Sequence, residues 1–240
     1  MLLEGVLQLT RMKYFLAGLF FFVLASTVSN ATTFYKIEEM SGWKWCSACA
    51  GAGGNAIMAM SKTSSPSLDG VSGKFFVGGS TPWSHALYHR RISSNSSAKN
   101  FVLEFDFYFK NPSASSAMEF SVSQVNGKYW YRWDTQCSYL SKVWKVWDGK
   151  NMKWINLSVP CPRPAAYKWN HVKFEGKRVD GKTQFVSITL NGKKSYVNKY
   201  VGPTWLGYYD PNVGIHFQLN GNRYMTDYYV WGDRFKLNYW

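Results

Sequence analysis

Two carboxylates stand two residues apart in the segment "FVLEFDFYF", which covers residues 101–109. On an extended chain Glu104 and Asp106 point to the same side with Cα atoms about 6.5 to 7 Å apart, a spacing within reach of a two-carboxylate glycosidase. The five apolar residues that alternate with this pair also fit a half-buried strand with a polar face. We prefer this second interpretation and keep catalysis as the alternative.

Glu119 is the third acid that could take part in such chemistry. It lies on the polar side of the next alternating segment, "AMEFSVSQ". If the two segments pair through the intervening "KNPSASSA", Glu119 comes close to Glu104 or Asp106 on one sheet surface. Neighbouring carboxylates raise one pKa, as a general acid requires. The alternative is a solvated or salt-bridged glutamate.

A cluster of aromatic and polar residues follows in "KYWYRWDTQ". Sugar rings have apolar C–H faces rimmed by hydroxyl groups, so their sites combine flat aromatic rings with hydrogen-bonding side chains. If this segment is a strand, its residues alternate between two faces. Trp130, Arg132 and Asp134 then share one face, and the neighbouring aromatics share the other. We predict that the charged face is exposed and that it binds ligand together with Gln136.

The segment "VGIHFQLNGN" adds a histidine and an amide on its polar side. His216 and Gln218 suit a polar groove, although an ordinary solvated strand face explains them as well. His85 and His89 follow a Gly- and Pro-containing stretch and are interpreted as loop residues. The sequence predicts no metal site and no cofactor.

The N-terminus resembles a secretory signal peptide. Two basic residues precede the apolar run "YFLAGLFFFVLA" at 14–25, and small residues follow it. The run is too short to span a bilayer comfortably, so we predict a signal peptide over 1–31 and no stable membrane anchor. Residues 1–11 are interpreted as a product of an upstream start codon. One domain over 32–240 is expected, in an exported protein.

The cysteines fit an oxidising compartment. Cys137 and Cys161 are predicted to form a disulfide, and Cys46 and Cys49 are predicted to form a tight local one. A zinc site is disfavoured because the second close cysteine pair and a suitably spaced histidine are missing.

The formal charge is +14, from 28 Lys and Arg against 14 Asp and Glu. The cations are scattered singly among aromatics, which disfavours nucleic acid as a partner. The charge fits either a solvated basic surface or an anionic polysaccharide. The oligomeric state stays open.

Asn-Gly and Asp-Gly pairs punctuate the chain and predict tight hairpin turns. They begin at 69, 126, 148, 180, 191 and 220. Between them, period-2 segments predict strands at 101–109, 117–124, 128–134, 143–148, 170–177, 184–190, 194–200, 213–219 and 229–239. The sequence therefore predicts an all-β fold of two antiparallel sheets, a disulfide-stabilised jelly roll.

The stretch "WNHVKFEGKRVDGKTQFVSITLNGKK", residues 169–194, resembles the core of laminin-G-like and concanavalin A-like jelly rolls. The terminal "DRFKLNYW" resembles their closing strand. The resemblance implies a sheet face that binds or cleaves glycans, although some members bind proteins. Retaining β-glucanases of this superfamily carry a third acid shortly after their E-x-D pair, where this chain has Tyr108 and Phe109. Polysaccharide lyases of similar fold use Gln-x-His, whereas this chain has His-x-Gln.

Three function hypotheses follow. The first is a secreted, lectin-like domain that binds carbohydrate on one sheet face. The second is a glycan-cleaving enzyme, a glycoside hydrolase or a lyase, that uses Glu119 with Glu104 or Asp106. The third is a structural or protein-binding envelope module.

Overall fold

The structure is a computed structural model that describes residues 31–47, 49 and 54–240. The signal-peptide segment lies outside the described residues. Seventeen strands make up most of the described chain: β1 Thr32–Phe34, β2 Lys44–Cys46, β3 Ile57–Thr63, β4 Ser72–Gly78, β5 His85–Ser93, β6 Asn100–Phe109, β7 Ser115–Asn126, β8 Tyr129–Arg132, β9 Thr135–Ser138, β10 Val143–Asp148, β11 Lys153–Pro160, β12 Trp169–Val179, β13 Lys182–Leu190, β14 Lys193–Val201, β15 Thr204–Trp205, β16 Asn212–Gly221 and β17 Tyr228–Tyr239. Two short 3-10 helices span Ile37–Glu39 and Pro112–Ala114.

The strands form two antiparallel sheets. Sheet 1 has the order β14-β13-β12-β6-β17-β4-β3, with β1 also paired to β17. Sheet 2 has the order β11-β10-β9-β7-β16-β5-β2, with β8 on β7 and β15 on β8. These pairings confirm the predicted all-β sandwich of jelly-roll type.

Aromatic side chains fill the space between the sheets. Phe105 of sheet 1 contacts Phe120 and Phe217 of sheet 2, with ring centroids 5.2 and 5.8 Å apart. All three rings are almost completely buried. Alternation along each strand sends these residues inward and leaves the polar residues between them for the outer faces.

The first described strand and the last strand are paired in sheet 1. Strand β1 pairs with the end of β17, where Thr32 lies opposite Tyr239. Strand β17 lies between β6 and β4, so the last strand of the chain is a central strand of the sheet.

Every strand predicted from alternation is present. Strand β10 has the predicted bounds, and the others differ by a few residues. Five of the six Asn-Gly and Asp-Gly pairs lie in or beside hairpin connections, and the pairs at 180 and 191 form the complete two-residue turns. The prediction for Asn220-Gly221 was wrong, because both residues belong to β16 at a register shift.

His85 and His89 are not loop residues. Both lie in β5, where His89 faces His216 of the neighbouring strand. The preceding Gly and Pro end the connection from β4, and the strand starts directly after it.

Both predicted disulfides are present. Cys137 and Cys161 join β9 to the segment after β11, with Cα atoms 5.6 Å apart. Cys46 and Cys49 form the local one, with Cα atoms 5.8 Å apart. Among the described residues, no helix has the length and apolar character needed to cross a bilayer.

Candidate functional site

A groove of about 720 Å³ runs over the outer face of sheet 2. Its floor comes from β5, β16, β7 and β9, which are neighbours in the sheet. Strands β8, β10 and β11 and the connections at both ends of the sheet supply its walls. Because strand residues alternate between faces, the polar residue between two core residues of each strand points into this groove.

A row of polar side chains crosses the groove floor. Lys145, Gln136, Glu119 and Gln218 are directly opposite one another on four successive strands. Glu119 Oε1 accepts hydrogen bonds of 2.7 Å from Gln136 Nε2 and from Asn220 Nδ2. Gln218 Nε2 in turn donates to Asn220 Oδ1 at 3.0 Å. The amides therefore hold the carboxyl group of Glu119 in one orientation.

The environment of Glu119 shifts its acidity. Burial beneath the groove raises its pKa to about 7, against the opposing effect of the two amide hydrogen bonds. Burial also lowers the pKa of His216 to about 4, so its imidazole is neutral at neutral pH. The floor thus combines a carboxyl group whose pKa is raised by burial with a histidine whose pKa is lowered by burial.

Aromatic rings and one ion pair form the wall beside His216. The Arg132 guanidinium carbon lies 4.4 Å from the ring centroid of Trp130 and its Nη2 is 2.5 Å from Asp134 Oδ2. Trp130 contacts His216 with ring centroids 6.1 Å apart. Trp147 and Trp154 contact each other further along the same wall.

The structure brings all six predicted ligand-binding residues to this groove. They lie on β8, β9 and β16 or in the β8–β9 connection, and Glu119 of β7 lies among them: Trp130, Arg132, Asp134, Gln136, His216 and Gln218. The predicted division into two faces is present, because Tyr131 and Trp133 are buried in the core on the side opposite the groove.

The predicted meeting of Glu119 with Glu104 or Asp106 was wrong. Strand β6 belongs to sheet 1 and β7 to sheet 2, so "KNPSASSA" crosses between sheets and does not form a hairpin. Each acid points outward from its own sheet, and the core separates them.

Glu104 and Asp106 are held in ion pairs. Asp106 is only 4% exposed and contacts Arg234 Nη2 at 2.8 Å and His171 Nδ1 at 3.3 Å. Glu104 lies 3.4 Å from Lys173 and 3.5 Å from Lys236. They form a structural charge network on sheet 1.

Sequence reasoning did not identify His85 and Asn220 as residues of the groove. His85 is 6% exposed and its Nε2 has no hydrogen-bond partner. Asn220 completes the polar series 216, 218, 220 along β16. The signal for Asn220 was the continued alternation, which the apparent Asn-Gly turn concealed.

One group of carboxylates in the described residues is close enough to hold a metal ion. Glu38, Glu39 and Asp69 can bring their oxygens within 4.8 Å of one another. Lys36 Nζ already lies 2.9 Å from Glu39 and 3.1 Å from Asp69. This group is remote from the groove in sequence and on the fold, since Asp69 is in the β3–β4 connection of sheet 1.

Comparisons with known proteins identify the fold. The sequence matches no protein-family model and no curated protein. Among solved structures, an endo-β-1,4-glucuronan lyase from the fungus Trichoderma reesei has a TM-score of 0.52 at 16% identity, covering 85% of this chain and 94% of the lyase. The cellulose-induced protein Cip1 has a TM-score of 0.53 at 14% identity, covering 85% of this chain and 96% of Cip1. These similarities are of fold, and they confirm the concanavalin-like β-sandwich that the sequence predicted.

Proposed function

We propose that the groove of sheet 2 binds a polysaccharide. The observation that carries this proposal is the convergence of the row Gln136, Glu119 and Gln218 with the aromatic wall around Trp130 in one open groove. A binding site for sugars needs both kinds of group, since ring faces pack against aromatics and hydroxyl groups need donors and acceptors.

The pre-formed hydrogen bonds among the floor residues favour binding. Side chains that already hold fixed orientations lose little conformational entropy when a ligand arrives. The Arg132 guanidinium is fixed by Asp134 and by the ring of Trp130, so it too is ready to donate to a sugar oxygen.

The structural neighbours support the ligand class at the level of fold. One of them is by its title a lyase of a glucuronan, a polysaccharide. The charge of +14 favours an anionic chain over a neutral one.

We infer that the protein acts outside the cytoplasm. The two disulfides fit an oxidising compartment, and the apolar run at 14–25 fits an export signal. A polysaccharide ligand would be met in the same compartment.

Cleavage of the bound glycan is the second candidate, and Glu119 is the observation that favours it. A carboxyl group with a pKa of about 7 can donate or accept a proton at neutral pH. Asp134 is the other carboxylate that lines the groove, and it is paired with Arg132. An enzyme of this chain would therefore use Glu119 as its acid or base and would not use Glu104 or Asp106.

A glycan array with the exported full-length protein, followed by titration calorimetry on each hit, tests the proposal. We expect Trp130→Ala to weaken binding at least tenfold, because it removes a ring face and the support of Arg132. Tyr129→Ala is the matched control, since Tyr129 is the neighbouring exposed aromatic and does not line the groove.

A product assay on the same hits separates binding from cleavage. Release of reducing ends or of unsaturated sugars that is lost in Glu119→Gln would establish the enzyme. Absence of binding to every glycan would reject both carbohydrate functions and leave the structural or protein-binding module.

A further inference from the structure

A strip of aromatic side chains lies on the outer face of sheet 1, on the far side of the sandwich from the groove. Trp231, Tyr108 and Trp169 are directly opposite one another on β17, β6 and β12. Phe76 and Tyr229 are paired in the adjacent row on β4 and β17. We call these five residues the aromatic strip.

The rings of the strip form a continuous series. Phe76 contacts Tyr229 with ring centroids 4.8 Å apart, and Tyr229 contacts Trp231 at 5.9 Å. Tyr108 contacts Trp231 at 5.7 Å and Trp169 at 5.4 Å. Four neighbouring strands at about 4.8 Å spacing give the series a span of roughly 14 Å.

The packing of the core does not explain these rings. Their sequence neighbours Phe75, Phe107 and Val230 fill the core from the same strands and are almost completely buried. The outer face of an antiparallel sheet is ordinarily polar, so a connected row of aromatics there indicates a contact surface.

Two lysines accompany the strip. Lys74 Nζ lies 4.0 Å from the ring centroid of Tyr229, and Lys110 Nζ lies 5.0 Å from that of Trp231. Neither lysine takes part in an ion pair within the described residues. The strip therefore offers two cationic donors that are free to meet an anion.

Trp231 is the covered ring at the centre of the strip. The residue is 4% exposed. It therefore supports the rings around it and offers little surface of its own to a ligand.

A protein partner fits the strip poorly. A stable protein interface buries about 800 Å² on each partner. One row away from Tyr108 the surface changes to the charge network of Asp106, His171 and Arg234. The strip is narrow, aromatic and cationic, and this combination suits a single chain of rings that carries negative charge.

We propose that the aromatic strip is a second polysaccharide-binding surface, specific for chains that carry carboxylates. Sugar faces pack on Tyr229, Tyr108 and Trp169, and carboxylates pair with Lys74 and Lys110. This site does not depend on the groove. If the groove also binds, the molecule has two binding faces on opposite sides and cross-links polymer chains.

The direct test uses soluble polyglucuronate and titration calorimetry in a protein whose groove is disabled by Trp130→Ala with Gln218→Ala. We expect this variant to retain binding. Adding Tyr229→Ala and Trp169→Ala should weaken the remaining binding at least tenfold. Lys74→Gln with Lys110→Gln should weaken it several-fold and reduce its salt dependence.

Tyr196→Ala is the matched control. Tyr196 is 70% exposed on the same sheet, and Lys194 lies 5.1 Å from its ring centroid, but it is outside the strip. We expect this variant to bind as its parent does. Near-ultraviolet circular dichroism reports whether each variant keeps its tertiary structure.

Light scattering of polyglucuronate supplies the second readout. If the groove also binds polyglucuronate, the wild-type protein should raise scattering by cross-linking chains, and either the groove variant or the strip variant should abolish the increase. Loss of all polyglucuronate binding in the groove variant, or unchanged binding in the strip variant, would refute the second site. Binding of only neutral glycans by the wild type would refute the strip and leave the groove proposal intact.

Discussion

Glu119 shows how neighbours set the chemistry of a single side chain. The strand places it between two amide-bearing strands, and both amides donate to the same oxygen. Those bonds favour the carboxylate, yet burial outweighs them and raises the pKa of Glu119 to about 7. Folding therefore favours the protonated form of Glu119 over its carboxylate more than the unfolded chain does.

We predict that Glu119→Gln changes how stability depends on pH. A carboxyl group whose pKa is raised on folding stabilises the fold fully below about 4.5, and that contribution is lost as the pH rises through about 7. The groove admits water, so we expect the loss to be about 1 to 2 kcal/mol. Urea unfolding between pH 4 and pH 8 should show a shallower decline for the variant. Parallel curves for the two proteins would contradict the assigned pKa shift.

At the scale of elements, the hairpin turns fix the register of sheet 1. Asp180 and Gly181 both have positive φ, 48° and 69°, and connect β12 to β13 through a two-residue turn. This backbone conformation suits glycine and twists the strands in the direction that the sheet requires.

Gly181→Ala should destabilise the protein by about 1 kcal/mol through the backbone alone. A Cβ at this position would meet no other atom within 4 Å, so no steric contact contributes. The midpoint of urea unfolding measures the change. Lys182→Ala, an exposed substitution at the next residue, is the control, and an equal effect in both variants would argue against strain at positive φ.

Regular alternation of apolar and polar residues predicted nine strand segments, and several other strands were missed. Strand β6 alternates over its full length and was predicted. Strand β5 was missed because His85, His89 and the arginines after it obscure its apolar residues. Strand β11 was missed although Ile155, Leu157 and Val159 alternate with exposed residues and pack against the core.

The alternation of strand residues between two faces predicted on which face of its strand each groove residue lies. It did not predict to which sheet each strand belongs. Alternation alone correctly separated Trp130, Arg132 and Asp134 from Trp133. Whether β6 and β7 pair or cross to different sheets depends on long-range contacts, and "KNPSASSA" is compatible with either connection. The pairing of Glu119 with Glu104 failed for this reason.

At the scale of the whole molecule, the Cys137–Cys161 disulfide constrains one end of sheet 2. It joins β9 to the segment after β11 and closes an interval of 24 residues. Both cysteines are buried. Restriction of the unfolded chain by a loop of this length stabilises a fold by about 3 kcal/mol.

Replacing both Cys137 and Cys161 by Ala should lower Tm by about 6 to 12 °C in calorimetry. The double substitution of Cys46 and Cys49 is the control. Its interval is only three residues, so the entropic effect should be about half as large. Equal Tm values for the first variant and the wild type would show that this disulfide does not restrict the unfolded ensemble.

The position of β17 inside sheet 1 governs the order in which the molecule can assemble. Strand β17 pairs with β4 on one side and with β6 on the other, so residues 228–239 join the β3–β4 hairpin to the part of sheet 1 formed by β6, β12, β13 and β14. Each of these two parts can pair its own strands without β17. Sheet 1 becomes continuous only when β17 inserts between them.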